Sequence, residues 1–264
     1  MSHIHFIGGE KGGVGKSTVA RLLVQYCIDH KRNFTVLDAD QSHGEMLRFY
    51  AEYSEPVVLD DAEDADRIFE VAEDRGQNVI VDLPSQSQRQ LKRWLDEGGI
   101  LELAMEQAVT VIFWHVLDGG KDGIRLLEHA LDEYGDHDNV HFVIVKNQGM
   151  SEDFSYFDQS EVSARARRSG ARFLVLPMLN RKVMNRIDHM DLSFWAAVNR
   201  TSGDALGRME RQRVRVWRDG WYEQLAQIEQ WLSPTRDAAI QRLNISEPTV
   251  PAPELTLAHF NQAL

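Results

Sequence analysis

The sequence predicts an α/β fold: one doubly wound, mostly parallel sheet with helices on both faces. Three observations predict it. Ile4-His5-Phe6-Ile7 runs into a glycine-rich turn and then into a stretch with apolar residues at helical spacing. Strand-like apolar runs then alternate with helical patterns along most of the chain, as in a parallel sheet with crossover helices. Several of these runs, Val79-Ile80-Val81 and Val143-Ile144-Val145 among them, are continuous rather than alternating, as when both sheet faces are covered.

The first strand is expected over 3–8 and the first helix over 16–30. Between them stands Lys11-Gly12-Gly13-Val14-Gly15-Lys16-Ser17-Thr18. Glycines let backbone N–H groups turn inward and approach a polyphosphate closely. The helix that begins near Lys16 adds its positive N-terminal end. Lys16 is placed to reach the β- and γ-phosphates, and the Ser17 hydroxyl to ligate Mg²⁺. A strand, a glycine loop and a helix in that order are the context of a phosphate-binding P-loop. Here it carries a second lysine, Lys11, ahead of the usual one.

Further strands are expected over 34–38, 56–59, 78–82, 109–116, 140–146 and 172–176. Helices are expected over 62–75, 87–97, 120–134 and 155–169. Residues 203–232 read as one long helix: Leu206, Met209, Val214, Trp217, Trp221, Leu225, Ile228 and Leu232 recur near every 3.6 residues, as in a helix packed on a core. Residues 1–232 are expected to form the nucleotide-binding domain. Residues 233–264 carry four of the seven prolines and read as a flexible tail. Its apolar patch, Leu255 to Phe260, suits either a docking segment or a loosely packed terminus.

Two strand ends carry acids. Phe34-Thr35-Val36-Leu37 leads into Asp38-Ala39-Asp40, and Val79-Ile80-Val81 leads into Asp82. In a parallel sheet, ligands sit beyond the carboxyl ends of the strands. One Asp there can act on Mg²⁺ through a water and another can orient the attacking water. A solvated strand end is the competing reading. Asn147 ends a later strand, and its amide suits the edge of a purine, although asparagine also serves turns.

The two-lysine loop resembles the deviant Walker A motif of the ParA/MinD ATPases. That resemblance implies that Lys11 crosses a dimer interface to phosphates held by the partner subunit. The chain would then be an ATP-dependent homodimer with ATP and Mg²⁺ as cofactors. It also implies that Asp40 is the water-positioning switch and that Asp38 gives support near Lys16 or the metal. Asp82 would hold Mg²⁺ through a water, followed by a γ-phosphate-sensing loop of Ser85, Gln86 and Ser87. Asn147 would read adenine, with Pro177 in the loop that borders the base. One departure stands out: Gln41 replaces the proline that usually follows the second Asp. The resemblance covers about residues 3–232. His115-Val116-Leu117-Asp118-Gly119-Gly120 and Arg211-Gln212-Arg213-Val214-Arg215 are similar to a conjugation-associated, TraL-like subgroup.

Composition bounds the rest. The single cysteine, Cys27, excludes a disulfide framework and any iron–sulfur cluster. No apolar run approaches the length of a membrane span, and the tail shows no basic amphipathic helix of the MinD kind. The expected setting is the bacterial cytoplasm. Residues 160–220 hold thirteen Lys and Arg against six Asp and Glu, in a chain of formal net charge −12. Such polarity suits an acidic partner. Arg165, Arg167, Arg168, Arg211, Arg213 and Arg215 are the candidates for nonspecific DNA contact, with solvated helix faces and internal ion pairs as the alternative. Two functions fit: a dimerising ATPase that positions a plasmid, a transfer complex or another large cargo, and a nucleotide-switched adaptor that binds a partner protein. A synthetase that phosphorylates a carboxylate lacks recognisable substrate segments here.

Overall fold

The computed structural model describes residues 2–8, 11–41, 44–75 and 77–233. Each half of the chain winds strand and helix alternately. The first half runs β1 (Ser2–Gly8), α1 (Lys16–Asp29), β2 (Phe34–Asp38), α2 (Glu45–Phe49), β3 (Ser54–Pro56), α3 (Ala62–Arg75) and β4 (Asn78–Asp82). It continues through α4 (Gln88–Glu97) and α5 (Ile100–Glu106) into β5 (Val109–Leu117), α6 (Lys121–Tyr134) and β6 (Val140–Asn147). After α7 (Ser155–Asp158), α8 (Glu161–Arg168) and β7 (Arg172–Leu176), the chain is helical: α9 (Arg181–His189), α10 (Phe194–Asn199), α11 (Arg208–Leu225) and α12 (Glu229–Leu232).

The seven strands lie in the order β3-β2-β4-β1-β5-β6-β7, and every pairing is parallel. Continuous apolar runs are explained by the two faces. Ile80, Val143 and Val145 point into the core under α1 and α9–α12. Their neighbours Val79, Val81 and Ile144 point into the core under α3–α8. The strand order reverses around β1 and β4, which brings the loop after Gly8 beside the end of β4 at Asp82. That crevice is where ligands of doubly wound sheets bind.

Several expectations need correction. The third strand is Ser54–Pro56, not 56–59, because the chain leaves β2 after the Val57 N–H reaches the Asp38 carbonyl and turns at Val58–Asp61. Val57 and Leu59 are buried from a loop. The helix expected over 155–169 breaks in two: Ser160 caps α8, its Oγ accepting from the Ser163 N–H. The long helix over 203–232 starts only at Arg208, where the Glu210 carboxylate reaches back 2.8 Å to the Gly207 N–H. It gives way to a 3₁₀ turn, Ala226–Ile228, before α12. Seven of its eight apolar positions are buried as expected, but Met209 is 64% exposed. The tail beyond Ser233 lies outside the described residues.

Candidate nucleotide-binding site

The loop between β1 and α1 has the backbone a phosphate cradle needs. Gly13 and Gly15 have φ of 73° and 97°, a region that side chains strain to enter. Gly15 is constrained twice, since a Cβ there would lie 2.3 Å from Asn147 Nδ2. Lys16, the first residue of α1, is 6% exposed. Its ammonium donates to the Lys11 carbonyl at 2.8 Å and to Ser85 Oγ at 3.1 Å. The loop after β4 therefore already touches the lysine of the cradle. A pocket of about 500 Å³ opens here, with Lys16, Ser17, Thr18, Asp40, Asn147 and Pro177 in its walls.

Asp82 is 1% exposed at the end of β4. Burial pushes its pKa well above the ordinary carboxylate value, the nearby Asp38 adds to the rise, and the neighbouring Ser17 hydroxyl offsets part of it. Among the described residues neither carboxylate oxygen meets a donor at hydrogen-bond geometry. A buried, unsatisfied carboxylate costs free energy unless a cation or proton accompanies it. Asp82 and Ser17 beside a phosphate cradle thus fit Mg²⁺, which takes one or two protein oxygens together with phosphate oxygens and waters.

Asp38 has different neighbours. Its Oδ1 accepts the Asp40 N–H at 3.0 Å, and its Oδ2 accepts those of Met46 at 2.9 Å and Leu47 at 3.1 Å. Burial raises its pKa, and these three N–H groups pull the other way. The side chain tethers the start of α2 to the end of β2 and so fixes the course of the chain around Asp40. Asn147 likewise serves the loop directly. Its Nδ2 donates to the Val14 carbonyl at 2.8 Å, and its Oδ1 accepts the Gly149 N–H at 3.0 Å. One N–H and one lone pair of the amide are left over for a ligand. Pro177 is held by Trp217, whose Nε1 donates to its carbonyl at 2.7 Å.

Lys11 stands at the rim and turns away from the cradle. Its ammonium pairs with Asp118 Oδ2 at 2.6 Å, just past the end of β5. The hydrogen bond to Asp118 raises the lysine's pKa. Burial opposes ionisation of Asp118, but the bond to Lys11, the Gly120 N–H and the lysine's charge together outweigh it and hold the carboxyl below its ordinary value.

Sequence reasoning missed Arg21. It lies one turn beyond Ser17 on α1 and is almost fully buried. Its guanidinium donates to Asp188 Oδ1 at 2.8 Å, lies 3.7 Å from Glu45 Oε2 and stacks 3.5 Å from the Phe49 ring. It thereby ties the phosphate-loop helix to α2 and α9. An arginine inside an otherwise apolar helical run was the available signal. None of the six candidate DNA-contacting arginines lines the pocket. Arg165 and Arg168 pair with Asp132 and Glu161, and Arg167 stacks 4.1 Å from Phe173. Arg211, Arg213 and Arg215 have no carboxylate at ion-pair distance among the described residues.

Fold, loop and buried acid together have the form of a P-loop NTPase. No protein-family profile matches the chain. It is 25% identical over 199 residues to protein MobD of Acidithiobacillus ferrooxidans, covering 74% of this chain and 86% of that one. It is 22% identical over 244 residues to protein TraL of Escherichia coli, covering 85% and 98%. A candidate plasmid partition protein of Borrelia burgdorferi B31, solved with AMPPNP, matches with a TM-score of 0.51 at 11% identity, over 86% of this chain and all of that one. Its two-lysine loop resembles that of the ParA/MinD ATPases, and these likenesses accord with that resemblance.

Proposed function

We propose that this protein is an ATP-dependent, dimerising ATPase that positions a cargo such as a plasmid or a conjugative transfer complex. The observation that carries the reading is the pairing of a formed phosphate cradle with a second lysine at its rim. Lys16, Ser17 and the loop N–H groups would hold the triphosphate. Asp82 and Ser17 would hold Mg²⁺, whose charge neutralises the phosphate oxygens. Asp40, in the pocket wall, would orient water. Asn147 and the Pro177 loop would border the base. Lys11, released from Asp118, would reach a partner's phosphates. The AMPPNP held by the Borrelia protein of the same fold supports an adenine nucleotide as the ligand. The likenesses to MobD and TraL support a role beside mobile DNA. We place the protein in the bacterial cytoplasm; no described helix is long and apolar enough to cross a membrane.

A second reading is a nucleotide-switched adaptor with slow hydrolysis. Gln41 favours it, because a glutamine leaves the backbone beside Asp40 freer than a proline would. Steady-state turnover separates the two. A carrier's turnover rises severalfold with DNA or a cargo protein, whereas an adaptor's stays slow with either.

A further inference from the structure

The outer face of α11 carries an apolar stripe that the described residues leave exposed. Val214, Trp217, Trp221 and Leu225 of this helix are buried, but Met209 is 64% and Val216 62% exposed. Seven residues apart, the two lie two turns along one face. Met178, 59% exposed, stands opposite them in the loop after β7. Helix and loop enclose a groove of about 460 Å³, with Pro177 and Trp217 in its walls.

Guanidinium groups of α11 stand in and beside the groove. Arg213 lines it, and Arg208, Arg211 and Arg215 surround an adjoining recess that shares Met209. Arg211 donates to the Leu206 carbonyl and Arg215 to Gln212 Oε1, both neutral acceptors. Among the described residues none of the four has a carboxylate at ion-pair distance, although the charge of Arg213 acts on Glu210, while nearby Arg186 and Arg218 pair with Glu210 and Asp29. The stripe is therefore apolar with cationic groups alongside it on the same helix. Methionine and arginine are residues that interfaces favour.

We propose that this face docks an amphipathic helix of a partner protein, with apolar residues along its centre and Asp or Glu along its flanks. Charge complementarity selects the acid flanks, and the two-turn spacing of Met209 and Val216 selects a helix. DNA would satisfy the guanidinium groups through its phosphates but leave three large apolar side chains against water, so the apolar stripe favours protein. Pro177 and Met178 also wall the phosphate-loop pocket, so an occupant of the groove touches a wall of that pocket.

The test is fluorescence anisotropy on the full chain with a labelled synthetic amphipathic helix of about 18 residues, leucine-faced and glutamate-flanked. Its lysine-flanked twin and a short DNA duplex serve as rivals. The acidic helix is expected to bind at least about tenfold more tightly than the basic one. The pairs Met209→Glu with Val216→Glu, and Arg211→Glu with Arg215→Glu, should each weaken it by about tenfold or more. All four sites lie outside the core, and unchanged thermal melting of each variant confirms folding. Equal binding of both helices, or no loss in either variant, overturns the proposal. So does duplex binding that the arginine pair abolishes and the apolar pair spares, which assigns the face to DNA. Self-association abolished by the apolar pair assigns it to a second copy. Peptide binding seen only after removal of residues 234–264 assigns it to this chain's own end. Each of these results also overturns the proposal.

Discussion

Lys11 and Asp118 form an ion pair 2.6 Å long, so the second lysine of the phosphate loop is held within its own chain. Gly120 helps to hold the acid in place, its N–H donating to Asp118 Oδ1 at 3.1 Å. Any reach of Lys11 towards a partner's phosphates must first break this pair. Replacing Asp118 with Ala should therefore ease ATP-induced association. Partly exposed pairs are worth about 0.2–1 kcal/mol and a symmetric dimer breaks two of them, so the dimer dissociation constant should fall by roughly 2- to 30-fold. Sedimentation with ATP and Mg²⁺ reads this directly. An unchanged or weakened dimer would show that the pair does not compete with dimerisation.

The glycines of the cradle should differ in cost. Gly15→Ala meets both a left-handed backbone and Asn147 Nδ2 at 2.3 Å, whereas Gly13→Ala meets only the backbone term, with no atom within 4 Å. Gly13→Ala should cost about 1–2 kcal/mol and Gly15→Ala more than that, with loss of nucleotide binding. Urea unfolding and nucleotide titration of the two variants test the order. Equal effects would contradict the role given to Asn147.

Arg21 should be a strut. Removing one partner of a buried pair costs about 3–5 kcal/mol when the other charge is left dry. Here Asp188 and Glu45 are 44% and 30% exposed and stay hydrated, so Arg21→Met should cost less, about 1–3 kcal/mol. It should also loosen α2, which hydrogen exchange at Met46 and Leu47 would register as faster. Exchange left at its wild-type rate would remove Arg21 from the positioning of α2.

Acid should destabilise the fold through buried histidines. Burial lowers His3 and His115 to about 4 and His5 to about 3. His5 Nδ1 accepts the Trp114 Nε1–H, and His115 Nε2 lies 2.7 Å from the Gly123 carbonyl. The unfolded chain takes up protons near pH 6.5, while the folded chain resists until its depressed values. The stabilisation is thus complete above about pH 6.5 and is lost as pH falls towards 4. Each histidine removes up to about 1.4 kcal/mol per pH unit across that window. Unfolding free energies at pH 7 and pH 5 test this, and a flat profile would contradict it.

The sheet was legible because its strands are buried on both faces and read as unbroken apolar runs. The edge strand was misplaced because Val57-Val58-Leu59 is apolar for a different reason, packing from a loop beneath α3. Helices α9 and α10 are short and depend on caps and tertiary packing, Asn180 and Ser193 accepting the first N–H groups. Such elements carry little periodicity. The cradle could be read from its glycines and lysines alone. The Lys11–Asp118 pair could not, because it joins residues more than a hundred positions apart and nothing in either segment names the other. Met209 shows the limit of a helical stripe: it keeps the spacing but lies off the face that Val214, Trp217 and Trp221 bury.

The central claim is that two copies of this chain close around ATP, each lending Lys11 to the other. Analytical ultracentrifugation of wild type and Lys11→Ala, with and without ATP and Mg²⁺, tests it most directly. The account predicts a wild-type dimer that appears only with nucleotide, and a Lys11→Ala protein that binds ATP yet stays monomeric. A wild-type chain that binds ATP and sediments as a monomer, or a Lys11→Ala chain that dimerises as wild type does, would contradict it.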